Sequence, residues 1–341
     1  MTLKGALIGC GFFAHNHMQA WAELDGAQII AVCDRDPVKA KAFAEAYGAK
    51  PFSDAATMLA EIEPDFTDIA TTSPSHRPLV ELAARHSRGA ICQKPLAETL
   101  EDAEAMVAAC ATAGVPLLVH ENFRWQAPIR AVIDHVRSGM IGKPHFLRLS
   151  FRHAFDIYDG QPYLAQTEDL ALMDIGPHVF DMARALMGDV EQVYCQTQKL
   201  NRRVAAPDAF LAQLQHAGGG ISSLECSFLS HYQPERFPQS LLVIEGNLGS
   251  IELLEGFRLR VHAGGTVSEF DVEPPVPVWG EKPWHLVQES VVAFQRHAIR
   301  ALNGKEPGQP TGADNLKTFA LTRAAIASAA TGTAISLSHS T

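Results

Sequence analysis

The sequence predicts an α/β fold of two domains: a doubly wound parallel sheet, then an α+β domain with a large, mainly antiparallel open sheet. Strand-like and helix-like segments alternate up to about residue 120. Beyond that point, strand-like runs follow one another with few helices between them. The length of 341 residues also suits two cores. We assign residues 1–122 to the first domain and residues 123–341 to the second.

The composition excludes several classes of protein. The net charge of −10 and the lack of a long basic run argue against nucleic-acid or anionic-membrane partners. No apolar run approaches the length of about 18 residues that spans a membrane, and the first strand leaves no room for a signal peptide. The six cysteines are scattered within apolar runs, which predicts reduced, buried thiols and a cytoplasmic protein. The fifteen dispersed histidines predict no metal site, and His15 and His17 are expected on a helix surface.

The first strand ends in a turn with two glycines, in the sequence LIGCGFFA of residues 7–14. Gly9 permits the turn, and Gly11 lets a pyrophosphate lie against the backbone because it has no Cβ. The amides of Phe12 and Phe13, at the start of the next helix, would point at that phosphate. This strand, turn and helix are typical of a dinucleotide-binding unit, although such a glycine pattern also occurs in ordinary tight turns.

The second strand, at residues 28–33, ends in Asp34, twenty-five residues after Gly9. An acidic residue at this distance accepts hydrogen bonds from the adenosine ribose, so the pair predicts a Rossmann-type NAD-binding domain. The carboxylate would repel a 2′-phosphate, which favours NAD over NADP. Arg35 leaves NADP open because a guanidinium tolerates that phosphate. The alternative for Asp34 is a solvated carboxylate at a strand end.

The rest of the first domain repeats the strand-then-helix pattern. Helices are predicted at residues 37–47, 53–61 (capped by Ser53), 76–88 and 99–113, and strands at residues 66–70, 90–92 and 117–119. Ligands of such sheets lie beyond the carboxyl ends of the strands. The further cofactor contacts expected there are Thr72, Ser73, His76, Gln93, Lys94 and Asn122. The segment from Thr72 to His76 is equally well explained as a turn that caps the next helix.

Lys94 is the first candidate for chemistry. It ends a strand and precedes Pro95, which restricts the local backbone. Beside a nicotinamide, its amine would donate to a substrate hydroxyl and stabilise the alkoxide character that develops as hydride leaves. The alternative is a solvated lysine at a strand end.

The second candidate is the sequence DIGPH at residues 174–178. Pro177 favours a helix start, so Asp174 precedes the helix and His178 lies in its first turn. An imidazole titrates near neutrality and suits a general base, while Asp174 would orient it or bind a neighbouring hydroxyl. Asp181 is expected to support His178 from behind. Taken alone, these residues favour the alternative, an ordinary helix N-terminus with an incidental histidine.

The second domain reads mainly as strands. They are predicted at residues 145–152, 190–198, 209–216, 221–228, 241–245, 250–254, 258–262 and 267–272. Helices are predicted at residues 128–138, 177–187, 284–303 and 313–330. An open sheet with helices on one face leaves the other face for a partner, and a second subunit is the simplest one.

The glycine turn, Asp34, Lys94-Pro95 and the DIGPH block, in this order, resemble the glucose–fructose oxidoreductase/inositol dehydrogenase (Gfo/Idh/MocA) family. The resemblance implies a catalytic set of Lys94, Asp174 and His178, with His178 as the acid/base. It also implies NAD(P)-linked oxidation of a sugar or polyol hydroxyl by a homodimer or homotetramer. Gln93 departs from the family pattern, which usually has Glu before Lys-Pro.

The stretches LKGALIGCGFFA, ICQKP, HENFRW, GQPYL and GADNLKTFAL are most similar to family members that oxidise the anomeric hydroxyl of an aldose. His120, Asn122, Arg124 and Tyr163 would then contact the sugar along with the catalytic set, although each is equally well explained as a structural loop residue. Three alternatives stay open: a dehydrogenase for inositol or another polyol, an NADP enzyme that moves hydride between two sugars, and a non-catalytic NAD-binding regulator.

Overall fold

The computed structural model describes residues 2–337, which form two compact units. The first unit comprises the chain up to Glu121 together with Val291–Leu316, and the second comprises Asn122–Ser290 together with the chain from Lys317. The first crossing lies one residue from the predicted boundary. Residues 291–316 belong to the first unit again, which a single domain boundary cannot describe. They are attached there by a hydrogen bond from Val119 N–H to Pro310 O and by the pairing of Leu118 with Thr311.

The first unit is built on a six-stranded parallel sheet in the order β3-β2-β1-β4-β5-β6. Its strands are β1 (Leu3–Ile8), β2 (Ala27–Cys33), β3 (Lys50–Phe52), β4 (Phe66–Ile69), β5 (Ala90–Gln93) and β6 (Leu117–His120). The helices between them are α1 (Phe12–Glu23), α2 (Pro37–Tyr47), α3 (Ala55–Ile62), α4 (His76–His86) and α5 (Leu100–Ala113). Because the strand order reverses beside β1, the predicted doubly wound sheet is confirmed.

Two helix starts show how the local sequence sets these bounds. Thr99 caps α5, since its Oγ1 accepts from Asp102 N–H at 3.1 Å. The predicted cap of α3 was wrong: Asp54, not Ser53, accepts from Thr57 N–H at 2.8 Å. Carboxylates and hydroxyls are both common N-caps. Which of two adjacent residues is the cap therefore depends on which side chain faces the amides of the first helical turn.

The second unit contains a nine-stranded sheet in the order β14-β13-β12-β11-β7-β10-β9-β8-β15. Its strands are β7 (Pro144–Arg152), β8 (Val190–Gln198), β9 (Ala209–His216), β10 (Ile221–Ser227), β11 (Leu241–Gly246), β12 (Gly249–Leu254), β13 (Arg258–Ala263), β14 (Thr266–Asp271) and β15 (Ile335–Ser336). Only the β7–β10 pair is parallel among these described strands. The mainly antiparallel open sheet is therefore confirmed, with β15 as an unpredicted edge strand.

The remaining helices are α6 (Ala127–Arg137), α7 (Leu170–Asp174), α8 (Gly176–Met187), α9 (His285–Leu302) and α10 (Gly312–Thr331). Sequence analysis did not predict α7. Helix α8 packs on β7 and β10, so every second residue of β7 (Leu147, Leu149 and Phe151) is buried. On other strands of the sheet, Leu211 and Ile221 are 43% and 52% exposed. A sheet with a buried face and partly apolar exposed positions is typical of antiparallel architectures.

All six cysteines are free and buried, as the sequence predicts. Burial raises the pKa of the Cys10 thiol to about 12 and that of Cys33 to about 11. At neutral pH these thiols are therefore protonated and unreactive. Among residues 2–337, none of the helices combines the length and the apolar character that a membrane span requires.

Candidate active site

The glycine turn has the geometry that the sequence predicts. Gly9 has a φ of +100°, and a Cβ there would lie 2.6 Å from the Ala70 carbonyl oxygen, so only glycine fits. Gly9 N–H donates to Cys33 O at 2.8 Å, which ties the turn to β2. A Cβ on Gly11 would meet nothing within 4 Å. The protein itself leaves the space beside Gly11 open at the N-terminus of α1, which fits a pyrophosphate there.

Asp34 is joined to the same turn. One carboxylate oxygen accepts from Cys10 N–H at 2.8 Å and the other from Asp36 N–H at 2.9 Å. Each oxygen retains a lone pair for a ribose hydroxyl, so the predicted role fits this geometry. Arg35 and Phe12 are exposed, whereas Phe13 packs edge-on against the rings of two buried histidines, His17 and His120.

His76 has a different place from the one predicted. Its ring is fully buried, with Nδ1 3.1 Å from both Pro95 O and Leu96 O and Nε2 3.1 Å from Thr71 O. Burial lowers the pKa of this imidazole. We correct its predicted cofactor contact to an internal role, because both ring nitrogens face backbone carbonyls. Nearby, Thr72 is exposed and Ser73 half-buried, at the start of a short 3-10 helix.

At Gln93 and Lys94, the end of β5 is also held by hydrogen bonds to buried side chains. Gln93 Oε1 accepts from Lys94 N–H at 2.7 Å, and Gln93 Nε2 lies 3.2 Å from His17 Nε2. Lys94 itself is half-buried. The prediction that His17 lies on the helix surface was wrong, because its ring is fully buried with Nδ1 2.8 Å from Asp68 Oδ2. One observation would have indicated this: His17 lies between Ala14 and Trp21 at helical spacing.

In the second unit, Asp174 and His178 lie at a junction of two helices. Asp174 is the last residue of α7 and is half-buried, and His178 lies in the first turn of α8. The His178 imidazole is only 3% exposed. Its ring stacks on Phe123, with centroids 3.8 Å apart and an interplanar angle of 8°. The helix start at Gly176-Pro177 therefore places the imidazole against a fixed aromatic surface.

Arg124 and Asp181 form a buried ion pair. Both nitrogens on one edge of the guanidinium, Nε and Nη2, donate to the two carboxylate oxygens, and Thr318 Oγ1 lies 3.4 Å from Asp181 Oδ1. We expected Asp181 to support His178 and Arg124 to bind substrate. Both stay predictions, and the structure adds that Arg124 and Asp181 are joined by two hydrogen bonds within the core.

The other predicted loop residues differ in accessibility. Asn122 is buried and its amide donates to Ser290 Oγ at 2.7 Å, and His120 is buried in a stack on His17 at 4.1 Å. Tyr163 is 59% exposed, and its hydroxyl donates to Gln161 Oε1 at 2.9 Å. Direct contacts of these residues with a ligand stay predictions.

Two polar residues near Asp174 were missed by sequence analysis. His153 and Tyr158 are almost fully buried, and within residues 2–337 neither His153 Nδ1 nor the Tyr158 hydroxyl has a hydrogen-bond partner. Burial lowers the pKa of His153 to about 4, although Glu235 and Asp174 act in the opposite direction. Burial also raises the pKa of Tyr158 to about 12. Buried polar atoms of this kind are the ones that a polar ligand can satisfy.

Comparison with known proteins gives consistent results along the chain. A model of the oxidoreductase family with an NAD-binding Rossmann fold (GFO_IDH_MocA) matches residues 3–121, and a model of the GFO/IDH/MocA C-terminal domain matches residues 129–252. The D-apiose dehydrogenase of Paraburkholderia graminis is 48% identical over 98% of this chain and 89% of its own length. That of Rhizobium rhizogenes is 46% identical over 98% of this chain and 97% of its own.

Solved structures agree. An oxidoreductase from Agrobacterium radiobacter, crystallised in complex with NAD+, L-tartaric acid and magnesium, is 46% identical, with a TM-score of 0.96 and 98% of each chain covered. The two family models together match more than half of the chain, and the glycine turn and Asp34 fit the nucleotide that the first model implies. The chain therefore belongs to the Gfo/Idh/MocA family of oxidoreductases, with the family's NAD-binding Rossmann domain and its C-terminal domain.

Proposed function

We propose that this protein is an NAD-dependent sugar dehydrogenase that oxidises the anomeric hydroxyl of D-apiose to give D-apionolactone. One observation carries this proposal: two D-apiose dehydrogenases match 98% of the chain at 46% and 48% identity. An inositol 2-dehydrogenase, by comparison, matches 66% of the chain at 29% identity. Oxidation of inositol, another polyol or another aldose is therefore the second candidate.

We assign the reaction to Lys94, Asp174 and His178. The His178 imidazole takes the hydroxyl proton, a role that suits a side chain with a nitrogen lone pair able to accept it. The Lys94 amine donates a hydrogen bond to the same oxygen and stabilises the negative charge that develops there. Asp174 holds a neighbouring sugar hydroxyl or orients the imidazole. NAD held by the first unit would supply the acceptor for the hydride, which carries both electrons of the broken C–H bond, so the products would be a lactone, NADH and a proton.

The cofactor contacts follow from the strand ends of the first unit. Asp34 binds the ribose, and Gly11 with the amides of Phe12 and Phe13 binds the pyrophosphate. The hydroxyls of Thr72 and Ser73 and the side chain of Arg35 are further contacts. Asp34 favours NAD over NADP, because its carboxylate, held by the Cys10 and Asp36 amides, would face a 2′-phosphate.

The sugar contacts are assigned to the second unit as well as to Lys94. His153 and Tyr158 have buried polar atoms that lack partners within the described chain, and the carboxylate of Asp174 influences the pKa of both. Hydroxyl groups of a small sugar would satisfy such atoms. The exposed hydroxyl of Tyr163 and the buried amide of Asn122 complete the set. Arg124 contributes by holding α8 through Asp181.

Assembly and location belong to the same proposal. A homodimer or homotetramer would cover the exposed apolar positions of the nine-stranded sheet, such as Leu211 and Ile221. The six free, buried thiols fit a reducing cytoplasm. Sedimentation of the purified protein measures the first property, and cell fractionation measures the second.

The test of function is a substrate panel. Purified protein is incubated with NAD or NADP and with D-apiose, other aldoses, inositol and related polyols, while NADH or NADPH absorbance is followed. We expect the highest kcat/KM with D-apiose and NAD. A higher value with inositol or another sugar would reject D-apiose as the substrate. No turnover of any compound, together with measurable NAD binding, would support the non-catalytic regulator instead.

A further inference from the structure

Three buried side chains of the first unit form a continuous chain of hydrogen bonds that ends at Lys94. Asp68 on β4, His17 on α1 and Gln93 on β5 are connected by contacts of 2.8 Å (Asp68 Oδ2 to His17 Nδ1) and 3.2 Å (His17 Nε2 to Gln93 Nε2). Gln93 Oε1 then accepts from Lys94 N–H at 2.7 Å. Asp68 and His17 are fully buried and Gln93 almost so. We call these three residues the Gln93 relay.

The chemistry of the groups fixes the direction of every bond in the Gln93 relay. The Gln93 oxygen must face the Lys94 amide, because only an oxygen accepts there. Its NH₂ group therefore faces His17 and can only donate, so His17 Nε2 is the acceptor. The remaining ring hydrogen is then on Nδ1, where it donates to Asp68. His17 is thus a neutral imidazole in the Nδ1–H form, and the orientation of the Gln93 amide follows from it.

Packing holds the central imidazole in place. The His17 ring stacks on His120 at 4.1 Å and meets the edge of Phe13 at 5.6 Å. The indole N–H of Trp21 donates at 2.7 Å to the same Asp68 oxygen that binds His17. Beyond Lys94, His76 contacts the next two carbonyls, Pro95 O and Leu96 O. The backbone on both sides of Lys94 is therefore held by buried side chains.

We propose that Asp68, His17 and Gln93 are positioning residues that set the backbone of Lys94 for the sugar oxidation proposed above, on which this inference rests. The Gln93 relay also explains why this chain has Gln where its family usually has Glu. A carboxylate at position 93 would still accept from Lys94 N–H but would have no hydrogen for His17. It would also place a second acidic group in a buried cluster that already contains Asp68.

The kinetic test compares three variants with one control. Gln93→Glu loses the hydrogen given to His17 and adds a buried acidic group, Gln93→Leu loses both bonds, and His17→Phe keeps a ring but removes both nitrogens. We expect kcat to fall about 10- to 100-fold in each, as for a misplaced reacting group, with KM for NAD within about threefold of wild type. His15→Phe, on the exposed side of the same helix, is the matched control and should keep kcat.

A double variant separates positioning from general damage. If His17 acts through Gln93, adding His17→Phe to Gln93→Leu should lower kcat no further, because the path is already broken. Multiplied effects of the two substitutions would overturn the proposal. So would kcat values within twofold of wild type in both single variants.

A second measurement does not depend on turnover. In protein with ¹⁵N-labelled histidine, the His17 ring, identified by its loss in His17→Phe, should show the neutral Nδ1–H form. Gln93→Glu should change that form and Gln93→Leu should shift Nε2, whereas His15→Phe should change neither. An Nε2–H form in wild type would overturn the Gln93 relay even if the substrate panel gave no turnover, and a panel failure with the expected spectra would reject only the proposed function.

Discussion

In the first unit, the residues assigned to the cofactor follow strands of one parallel sheet directly, whereas in the second unit Asp174 and His178 lie where two helices meet. Gly9, Asp34 and Lys94 are the first residues after β1, β2 and β5. Gly9 and Asp34 are held by backbone amides and carbonyls near the strand ends, whereas Lys94 N–H donates to the Gln93 side chain. The support in the second unit comes from side chains far away in the chain, such as the Arg124–Asp181 pair, 57 residues apart.

This difference has a general reason. The carboxyl ends of parallel strands meet at one edge, so the topology alone gathers residues there. The start of a helix in an α+β domain does not by itself bring functional residues together, because its neighbours are side chains that are distant in the sequence. We therefore expect substitutions in the first unit to act mainly on cofactor binding and chemistry, and substitutions around α8 to act strongly on stability as well.

The largest expected effect is a loss of kcat, and it tests whether each unit supplies one group that acts on the reacting oxygen. Lys94→Ala and His178→Asn should each lower kcat about 10³- to 10⁴-fold, since each removes a group that acts on the reacting oxygen. Steady-state kinetics with the preferred sugar measures the loss, and NAD affinity should stay within about tenfold of wild type. Lys41→Ala, on the exposed face of α2, is the control and should keep kcat. Near-normal turnover of either variant would remove that residue from the catalytic set.

The next effect concerns the buried ion pair of the second unit. Asp181→Leu should lower the free energy of unfolding by about 3–5 kcal/mol, because the guanidinium of Arg124 remains buried without its carboxylate. Adding Arg124→Met should restore part of that loss. Asp156→Asn, which breaks the exposed pair with Arg203, should cost less than about 1 kcal/mol. Denaturant unfolding measures all three, and equal losses for the buried and exposed pairs would contradict the comparison.

A smaller effect is expected on cofactor affinity. Asp34→Ala should weaken NAD binding about 10- to 100-fold, the usual range for a lost hydrogen bond to a charged group. It should also reduce the ratio of the NADP dissociation constant to the NAD dissociation constant. Fluorescence titration with both nucleotides measures the two dissociation constants. Asp54→Ala, which removes only the cap of α3, should leave both constants unchanged. Unaltered NAD binding in Asp34→Ala would leave Asp34 as a structural residue of the glycine turn.

The smallest effect is a pH dependence in the second unit. Burial alone would raise the pKa of Asp189, but ion pairs with Lys317 at 2.6 Å and Arg184 at 2.7 Å lower it below its ordinary value. A lowered carboxyl pKa contributes stability that is present above the unfolded value of about 3.9 and is lost as pH falls through the folded value. At pH 7, Asp189→Asn should cost up to about 1 kcal/mol.

Thermal unfolding of wild type and Asp189→Asn across pH 7 to 3 checks this sign. The difference in Tm should be constant at neutral pH and should shrink below about pH 4, where the carboxyl is protonated first in the unfolded chain and then, at lower pH, in the folded protein. A difference that grows as the pH falls would show that Asp189 is not stabilised by these cations.

Most of the fold could be predicted, because strands and helices of this chain carry strong local patterns. Helix α2 and strands β8 and β9 begin and end where the sequence predicts. The short helix α7 and the edge strand β15 could not be predicted, because elements of five and two residues contain too little periodicity. Residues 291–316 have no local feature that assigns them to the first unit.

For the candidate site, local sequence predicted the backbone geometry at Gly9 and the position of Asp34 at a strand end, while their cofactor contacts stay predictions. Prediction failed for His17 and His76, whose predicted places ignored hydrogen-bond partners elsewhere in the chain. It also missed His153 and Tyr158, since nothing in the local pattern shows that a polar atom will be buried without a partner.

The sequence by itself determined the parallel sheet, the glycine turn with its acidic partner on β2, and the order of residues that identifies the family. These depend on backbone conformation and on periodicity, which neighbouring residues specify. Only the tertiary structure decided which polar side chains hold one another: the Gln93 relay behind Lys94 and the ion pair beneath α8. Hydrogen bonds and ion pairs in a core depend on distances between segments remote in the chain, and no local pattern encodes those distances.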